Sequence, residues 1–314
     1  MTIAVPIESE PSIRPWRRVL ADRRVSVGGA ILGFLMLAGL LTMPWTQRAS
    51  SDLFYDRQHD GAALKPPQAD HLWMLFGTTK LGTSLLGQCL IGGVISLSIG
   101  LAAAAISVVL GVGVGVVCGY YGGWIDSLLM RIVDILFALP YFLMVILLKL
   151  ALEPALLGMH FASVAANLTV LFLSIGLVSW LEMARVIRGQ VLSLRTLPFV
   201  EAARAAGLPQ RRIFLRHLLP NLLGPIIVYA TLMVPQAILQ ESVLSFLGIG
   251  IQKPLPTWGA LASDGLTLAL NPISSCWWLL AFPCTLLAVT LLALNFIGDG
   301  LRDTLDPRGD RAKI

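Results

Sequence analysis

Most of the side chains able to do chemistry stand where that chemistry is not possible. The run Gly77-Thr78-Thr79-Lys80-Leu81-Gly82-Thr83-Ser84 has the glycines of a phosphate-cradling loop, but such a loop needs lysine directly after its second glycine, and Thr83 stands there. A turn leading into an apolar segment is the better reading. Gly111, Gly113, Gly115 and Gly119 lie inside an apolar run without the strand-turn-helix context of a dinucleotide site, and their spacing suits close helix contact instead. His59, His71, His160 and His217 are scattered, and Cys89, Cys118, Cys276 and Cys284 form no C-x-x-C pair. No metal site is predicted, and the cysteines are expected to pack as small hydrophobes. No nucleophile elbow or paired-carboxylate constellation marks a catalytic centre. Asn167-Leu168-Thr169 matches a glycosylation acceptor, but it falls in an apolar run where no glycan could be attached.

The segment from Arg185 to Pro220 is different: it concentrates charge, proline and small residues. Thr196 can cap a helix, Pro198 suits a first turn, Glu201 sits near the positive helix end and Gly207 can take the left-handed stop, which predicts a helix from about Leu197 to Ala206. Phe199, Ala202, Ala203 and Ala206 are expected on one face, giving a thin helix able to enter a groove. Pro209 begins a second helix carrying Ile213, Phe214 and Leu218, which Pro220 is expected to end. Spacing alone serves two readings equally, docking into a partner or lying on an anionic leaflet.

The elements that must position this segment are membrane spans. Of the 314 residues, 56% are hydrophobic and 13% charged, and the apolar residues lie in long uncharged runs. A span needs about 20 mostly apolar residues, and six stretches qualify, approximately Val25–Trp45, Leu90–Cys118, Ile132–Leu150, Phe161–Leu181, Leu222–Leu239 and Cys276–Ile297. Runs without period-two alternation must be helical in lipid, so the fold class is all-α: a polytopic membrane protein of about six transmembrane helices. With the N-terminus in the cytoplasm, 17 of the 23 basic residues fall inside, among them Arg14, Arg17, Arg18, Arg131, Arg308, Arg311 and Lys313. Both termini are therefore expected in the cytoplasm. The first run has span length and no small-residue cleavage pattern, so it reads as an uncleaved anchor. Trp45, Trp277 and Trp278 suit an aromatic belt. The net charge of +5 forms no continuous stripe, which argues against nucleic acid.

The expected organisation is a cytoplasmic arm 1–24, helix one at 25–45, an outer segment 46–89, a transmembrane body 90–302 of helices two to six with its loop at about 189–221, and a tail 303–314. Asp134 and Lys149 are expected to snorkel from their span, and Glu182 to pair with Arg185. Asn167, Gln236 and Asn295 are candidates for a solute path, with interhelical hydrogen bonding as the alternative. Pro140, Pro225, Pro235 and Pro283 can kink their spans.

Glu201-Ala202-Ala203, then Gly207, then Leu219-Pro220, resembles the "EAA" signature of binding-protein-dependent ABC importer permeases. Gly119-Tyr-Tyr-Gly-Gly-Trp-Ile-Asp126, Ser245-Phe-Leu-Gly-Ile-Gly250 with Pro256-Thr-Trp-Gly259, and Gly298-Asp-Gly-Leu-Arg-Asp-Thr-Leu-Asp-Pro307 resemble that family's dipeptide and oligopeptide branch. The resemblance runs from about the first span to Arg308. It implies a second homologous permease subunit, two cytoplasmic ATPases that bind the ATP and Mg, an extracytoplasmic binding protein, and a bacterial-type inner membrane. This chain would bind no cofactor of its own. It also implies that Glu201 meets a basic group on the ATPase and that Gly207 sets the angle between the loop helices. Two departures stand out: the family's Gly-Thr-Asp and Gly-Arg-Asp become Gly77-Thr78-Thr79 and Gly82-Thr83-Ser84, and His217 takes an aliphatic position beside Leu218. Di- or oligopeptides are the first expectation for the solute, with nickel or another small solute second. A secondary carrier, an embedded enzyme or an assembly scaffold remain the other classes.

Overall fold

A computed structural model describes residues 19–158, 163–251, 253–272 and 275–305, apart from the side chains of 157, 158 and 163–165. Arg14, Arg17, Arg18, His160, Arg308, Arg311, Lys313 and most of the two terminal segments lie outside the described residues. The chain forms α1 (Arg23–Thr46), α2 (Leu85–Tyr121), α3 (Gly123–Phe137), α4 (Tyr141–Gly158), α5 (Ser163–Arg195), α6 (Pro198–Ala205), α7 (Gln210–Phe246), α8 (Trp258–Ala269) and α9 (Trp278–Leu305). Among the described residues five helices are long and apolar enough to cross a membrane, and six if α3 and α4 count as one bent span. The expected polytopic all-α class is what the chain forms.

The first span agrees within two residues, begun by Asp22, whose carboxylate accepts from Arg24 N at 2.7 Å. The others run longer than expected, because hydropathy marks the apolar stretch and not the cap. Ser84 caps α2 by accepting from Gly87 N at 3.2 Å, so the helix starts at Leu85, five residues before the predicted start. α9 continues to Leu305 and α5 to Arg195, so the connecting loop begins at Thr196 and not at about 189. No proline intervenes in α5, and Arg185 and Arg188 have partners on α3 and Arg195 on α2.

The third span is corrected most. The span expected over Ile132–Leu150 is two helices, and the kink expected at Pro140 is a break: α3 and α4 meet at 97°. Pro140 lacks an amide hydrogen and disfavours helical Leu139, so the hydrogen-bond ladder stops at Ala138 and restarts with Met144 N bonding Pro140 O. Pro225, Pro235 and Pro283, by contrast, stand within continuous helices.

Packing centres on α2 and α5. A Cβ on Gly111 would lie 2.5 Å from Met183 Cβ, one on Gly115 2.6 Å from Ala184 O, and one on Gly119 2.7 Å from Val191 Cβ. Gly176 returns the arrangement from α5, where a Cβ would stand 2.8 Å from Ile106 Cβ, and Ser107 Oγ donates to Gly176 O at 3.1 Å. The expected helix contact is thus made by three of the four glycines; Gly113 faces open space. Met183, Ile187 and Val191 carry the seam into a core shared with Leu97, Leu222 and Ile238. At one end of the bundle Arg24 pairs with Asp303 at 2.8 Å, which brings the start of α1 and the finish of α9 together.

Valine at Gly115 overpacks the seam and should destabilise the protein by about 1–3 kcal/mol. Alanine at Gly113 should leave thermal unfolding in detergent unchanged, so the pair of variants checks which glycine face is packed.

Candidate functional site

The predicted helix is present as α6, with Pro198 in its first turn. Its cap differs from expectation. Leu197 is the N-cap and makes no side-chain cap bond, while Thr196 Oγ1 donates back to Ser193 O at 2.9 Å. At the other end Gly207 adopts φ +73°, Gly207 N donates to Arg204 O at 2.9 Å and Leu208 N to Ala203 O at 3.2 Å. This is the left-handed stop that glycine takes without a steric penalty. It turns the chain into α7.

The faces of α6 divide differently from the expected set. Val200 and Ala203 are buried with Ile213 and Leu218, with Tyr120, Leu194, Leu208 and Phe214 packed around them. Phe199, Glu201, Ala202 and Ala206 are exposed. Ala203 therefore belongs to the anchoring face, and the free face is made by Phe199, Ala202 and Ala206 beside Glu201. Glu201 has no ion-pair partner among the described residues. Leu218 is fully buried and supplies the apolar contact next to the half-buried His217.

The second loop helix is corrected too. Pro220 does not end it: Gln210–Ile213 passes through a π turn at Phe214–Leu218 into Leu219–Phe246. The wider turn takes up the missing amide hydrogen of Pro220 and its ring, so that α7 remains continuous. Leu219 is half-buried and Pro220 exposed on that segment.

Sequence reading missed the residues that hold this unit to the bundle. Tyr120 at the end of α2 donates to Gln210 O at 2.7 Å and lies edge-on to Phe214 at 5.4 Å. Arg195 donates to Gly119 O at 3.0 Å. Arg188 forms a two-pronged pair with Asp126 of α3, its Nη2 reaching Oδ2 at 2.7 Å. Arg185 pairs with Asp134 at 2.8 Å and lies 4.2 Å over the Phe137 ring. Asp134 therefore has a cation partner, and Arg185 pairs there and not with Glu182. The signal was present as two acids and two arginines near a span junction, but partners 51 and 62 residues apart are invisible to local spacing.

At the opposite end, the phosphate-loop lookalike is a turn. Gly77 and Gly82 have φ +79° and +72°, a bridge joins Thr78 to Ser84, and the Thr79 and Thr83 hydroxyls lie 2.6 Å apart. Gln88 Nε2 donates to Thr83 Oγ1 at 3.1 Å. Thr79, Lys80 and Thr83 help line a cavity of about 590 Å³ whose far wall includes Lys253, Pro256 and Asp264. Trp278 is buried there, donating its indole N–H to Thr78 O at 3.3 Å, so only Trp45 and Trp277 are exposed as a belt requires. Cys89, Cys118 and Cys276 are buried as expected, but Cys284 is exposed. Lys149 does not snorkel: it is 7% exposed and donates to the carbonyls of Ile249 and Gly250. Asn167, Gln236 and Asn295 lie on α5, α7 and α9, the first half-buried and the others exposed, and the cavity does not bring them together.

Comparison with known proteins shows the family and the fold. The sequence model of the family described as "binding-protein-dependent transport system inner membrane component" matches residues 111–311. The oligopeptide transport system permease protein OppC of Escherichia coli is 48% identical over 293 residues, which is 93% of this chain and 90% of that one. The dipeptide transport system permease protein DppC of Bacillus subtilis is 42% identical over 293 residues, covering 93% and 84%. A chain of the MetNI methionine ABC transporter in an inward-facing conformation aligns with a TM-score of 0.55 at 19% identity, covering 68% of this chain and 94% of that one. That last likeness is one of fold.

If the Asp126 pair fixes α3 to α5, then Asp126→Asn and Arg188→Gln should each lower the unfolding temperature. The double variant should lose less than their sum, with a coupling of about 0.5–3 kcal/mol. Strict additivity would show that the pair does not bear on stability.

Proposed function

The chain belongs to the family of binding-protein-dependent transport system inner membrane components, as a permease subunit of an ATP-binding-cassette importer, and we propose that it passes di- and oligopeptides. The relatives named for oligopeptide and dipeptide transport, which match over nearly the whole chain, support that solute class. In this reading the α6 end faces the cytoplasm, with both termini beside it, and the α8 end faces outward in a bacterial-type inner membrane. The excess of arginine between Arg185 and Arg216 supports the orientation.

One of two ATPase subunits would dock at the α6 face, the pair holding the ATP and Mg, while a second homologous permease completes the path and an extracytoplasmic binding protein delivers the solute. The division of α6 into an anchored and a free face carries this proposal. Val200 and Ala203 fasten it to α7, whereas Phe199, Ala202 and Ala206 leave a thin apolar strip with the Glu201 carboxylate beside it. A cationic group on the ATPase can meet Glu201 through a charge-assisted bond, and the strip can enter a cleft. A membrane-surface helix would instead put its apolar strip in lipid and its arginines around it; Glu201 beside the strip disfavours that on an anionic leaflet. Asn167, Gln236 and Asn295 are retained as candidate path residues, with Gln236 and Asn295 on surfaces open to a second permease.

Glu201→Lys reverses the docking charge, and Gly207→Val forces a β-branched residue into left-handed backbone at a cost of about 1–2 kcal/mol. In proteoliposomes containing the whole importer, both should lower ATP-driven uptake of a labelled tripeptide by about tenfold or more, equivalent to at least about 1.4 kcal/mol of coupling. Membrane insertion should be intact. Unchanged uptake in both variants would overturn the docking assignment, and uptake of nickel but not of peptides would overturn the solute class.

A further inference from the structure

Glu241 lies in α7 near its α8 end and is 0% exposed, a carboxyl group inside a span that no local pattern in the sequence singled out. Ionisable groups at such depth are costly and point to function by default. Its contacts join three elements. Ser245 Oγ donates to Glu241 Oε1 at 2.7 Å, and Ser96 Oγ of α2 donates to Oε2 at 3.4 Å. Ser96 Oγ in turn accepts from Trp258 N, and Thr257 Oγ1, which caps α8 by accepting from Ala260 N, donates to Ser245 Oγ at 3.4 Å. Trp258 is 2% exposed and donates its indole N–H to Cys89 O at 3.0 Å.

The backbones around this cluster are close enough to exclude even a methyl group. A Cβ on Gly93 would stand 2.5 Å from Trp258 Cζ2, and one on Gly259 2.5 Å from Ser242 Cα. A second buried ionisable group holds the same segment, since Lys149 of α4 donates to the carbonyls of Ile249 and Gly250. Both buried ionisable groups therefore act on the chain between the end of α7 and the start of α8. That chain also walls the 590 Å³ cavity through Lys253, Leu255 and Pro256.

The other end of the same helix is the part fastened to α6, through Ile213 and Leu218. At about 1.5 Å per residue, the 37 residues of α7 reach about 55 Å from one end to the other. We propose that Glu241 is the positioning residue of the far gate: its carboxyl group locks the start of α8 and the Ser96 turn of α2 to α7, so that a turn of α6 moves the segment closing the opposite end. This inference rests on the docking role of α6.

The importer is reconstituted with its ATPases and binding protein, and tripeptide taken up per ATP hydrolysed is measured for the unaltered chain, Glu241→Ala and Glu241→Gln. The account expects the alanine variant to co-purify with the ATPases, to keep hydrolysing ATP, and to carry at least about tenfold less peptide per ATP, in the range of ordinary coupling energies. The glutamine variant, which still accepts from one serine and can donate to the other, should recover most of the ratio. If the alanine variant fails to assemble, the pair Ser96→Ala and Thr257→Val removes the contacts from the other side and should lower the same ratio. An unchanged ratio in whichever of these assembles, with only a lower unfolding temperature, would overturn the proposal and make the cluster a stabilising contact alone. Failure of the unaltered chain to bind ATPases would instead overturn the docking reading.

Discussion

The approach of α2 to α5 sets the position of everything that follows in the chain. In lipid there is little hydrophobic gain from bringing two apolar helices together, so close packing and a few interhelical hydrogen bonds must supply the attraction. Gly111, Gly115 and Gly119 remove the side chains that would hold the backbones apart, and Ser107 bonds across to Gly176. Once the seam is fixed, the end of α5 has one place to be. Arg188 and Arg185 then capture α3, Arg195 reaches Gly119, and the chain emerges at Thr196 aimed at α6. The charged residues that look exposed in sequence are the rivets of that end.

The second constraint is the continuity of α7. A helix that stopped at Pro220 would make the α6 unit a flexible appendage. The π turn at Phe214–Leu218 accepts the proline without a break, and Leu218 of that turn is buried against Val200 and Ala203. Helix α6 is thereby fastened to a rod that crosses the bundle. The same helix buries Glu241 at its other end, where α2 and α8 converge. Force applied at one surface has a stiff route to the other, a property of these contacts and not of α6 alone.

The sequence made much of this legible, and its omissions have a common cause. Local signals worked: Pro198 and Gly207 punctuated α6, and the glycine spacing of α2 marked a contact face. Three-dimensional assignments made from one-dimensional neighbours did not. Ala203 turned toward the bundle because Ile213 and Leu218 need a cover; Arg185 meets Asp134 and not Glu182 because the turn at Gly122 and Gly123 lays α3 beside α5; Lys149 stayed buried because the segment after α7 offers it carbonyls. Glu241 went unnoticed because its partners Ser96 and Trp258 are distant in sequence and unremarkable by type.

In this reading α6 and α7 form one rigid lever. Its most direct test is a spin-label distance measurement in the assembled importer, trapped with and without nucleotide, using labels at the exposed positions Ala205, outside the docking strip, and Leu247. The distance between these two labels is expected to stay constant between the trapped states while the distance from Leu247 to the second permease changes. A change between Ala205 and Leu247 as large as the change across the subunits would show that α7 bends or that α6 moves independently, and would overturn the lever.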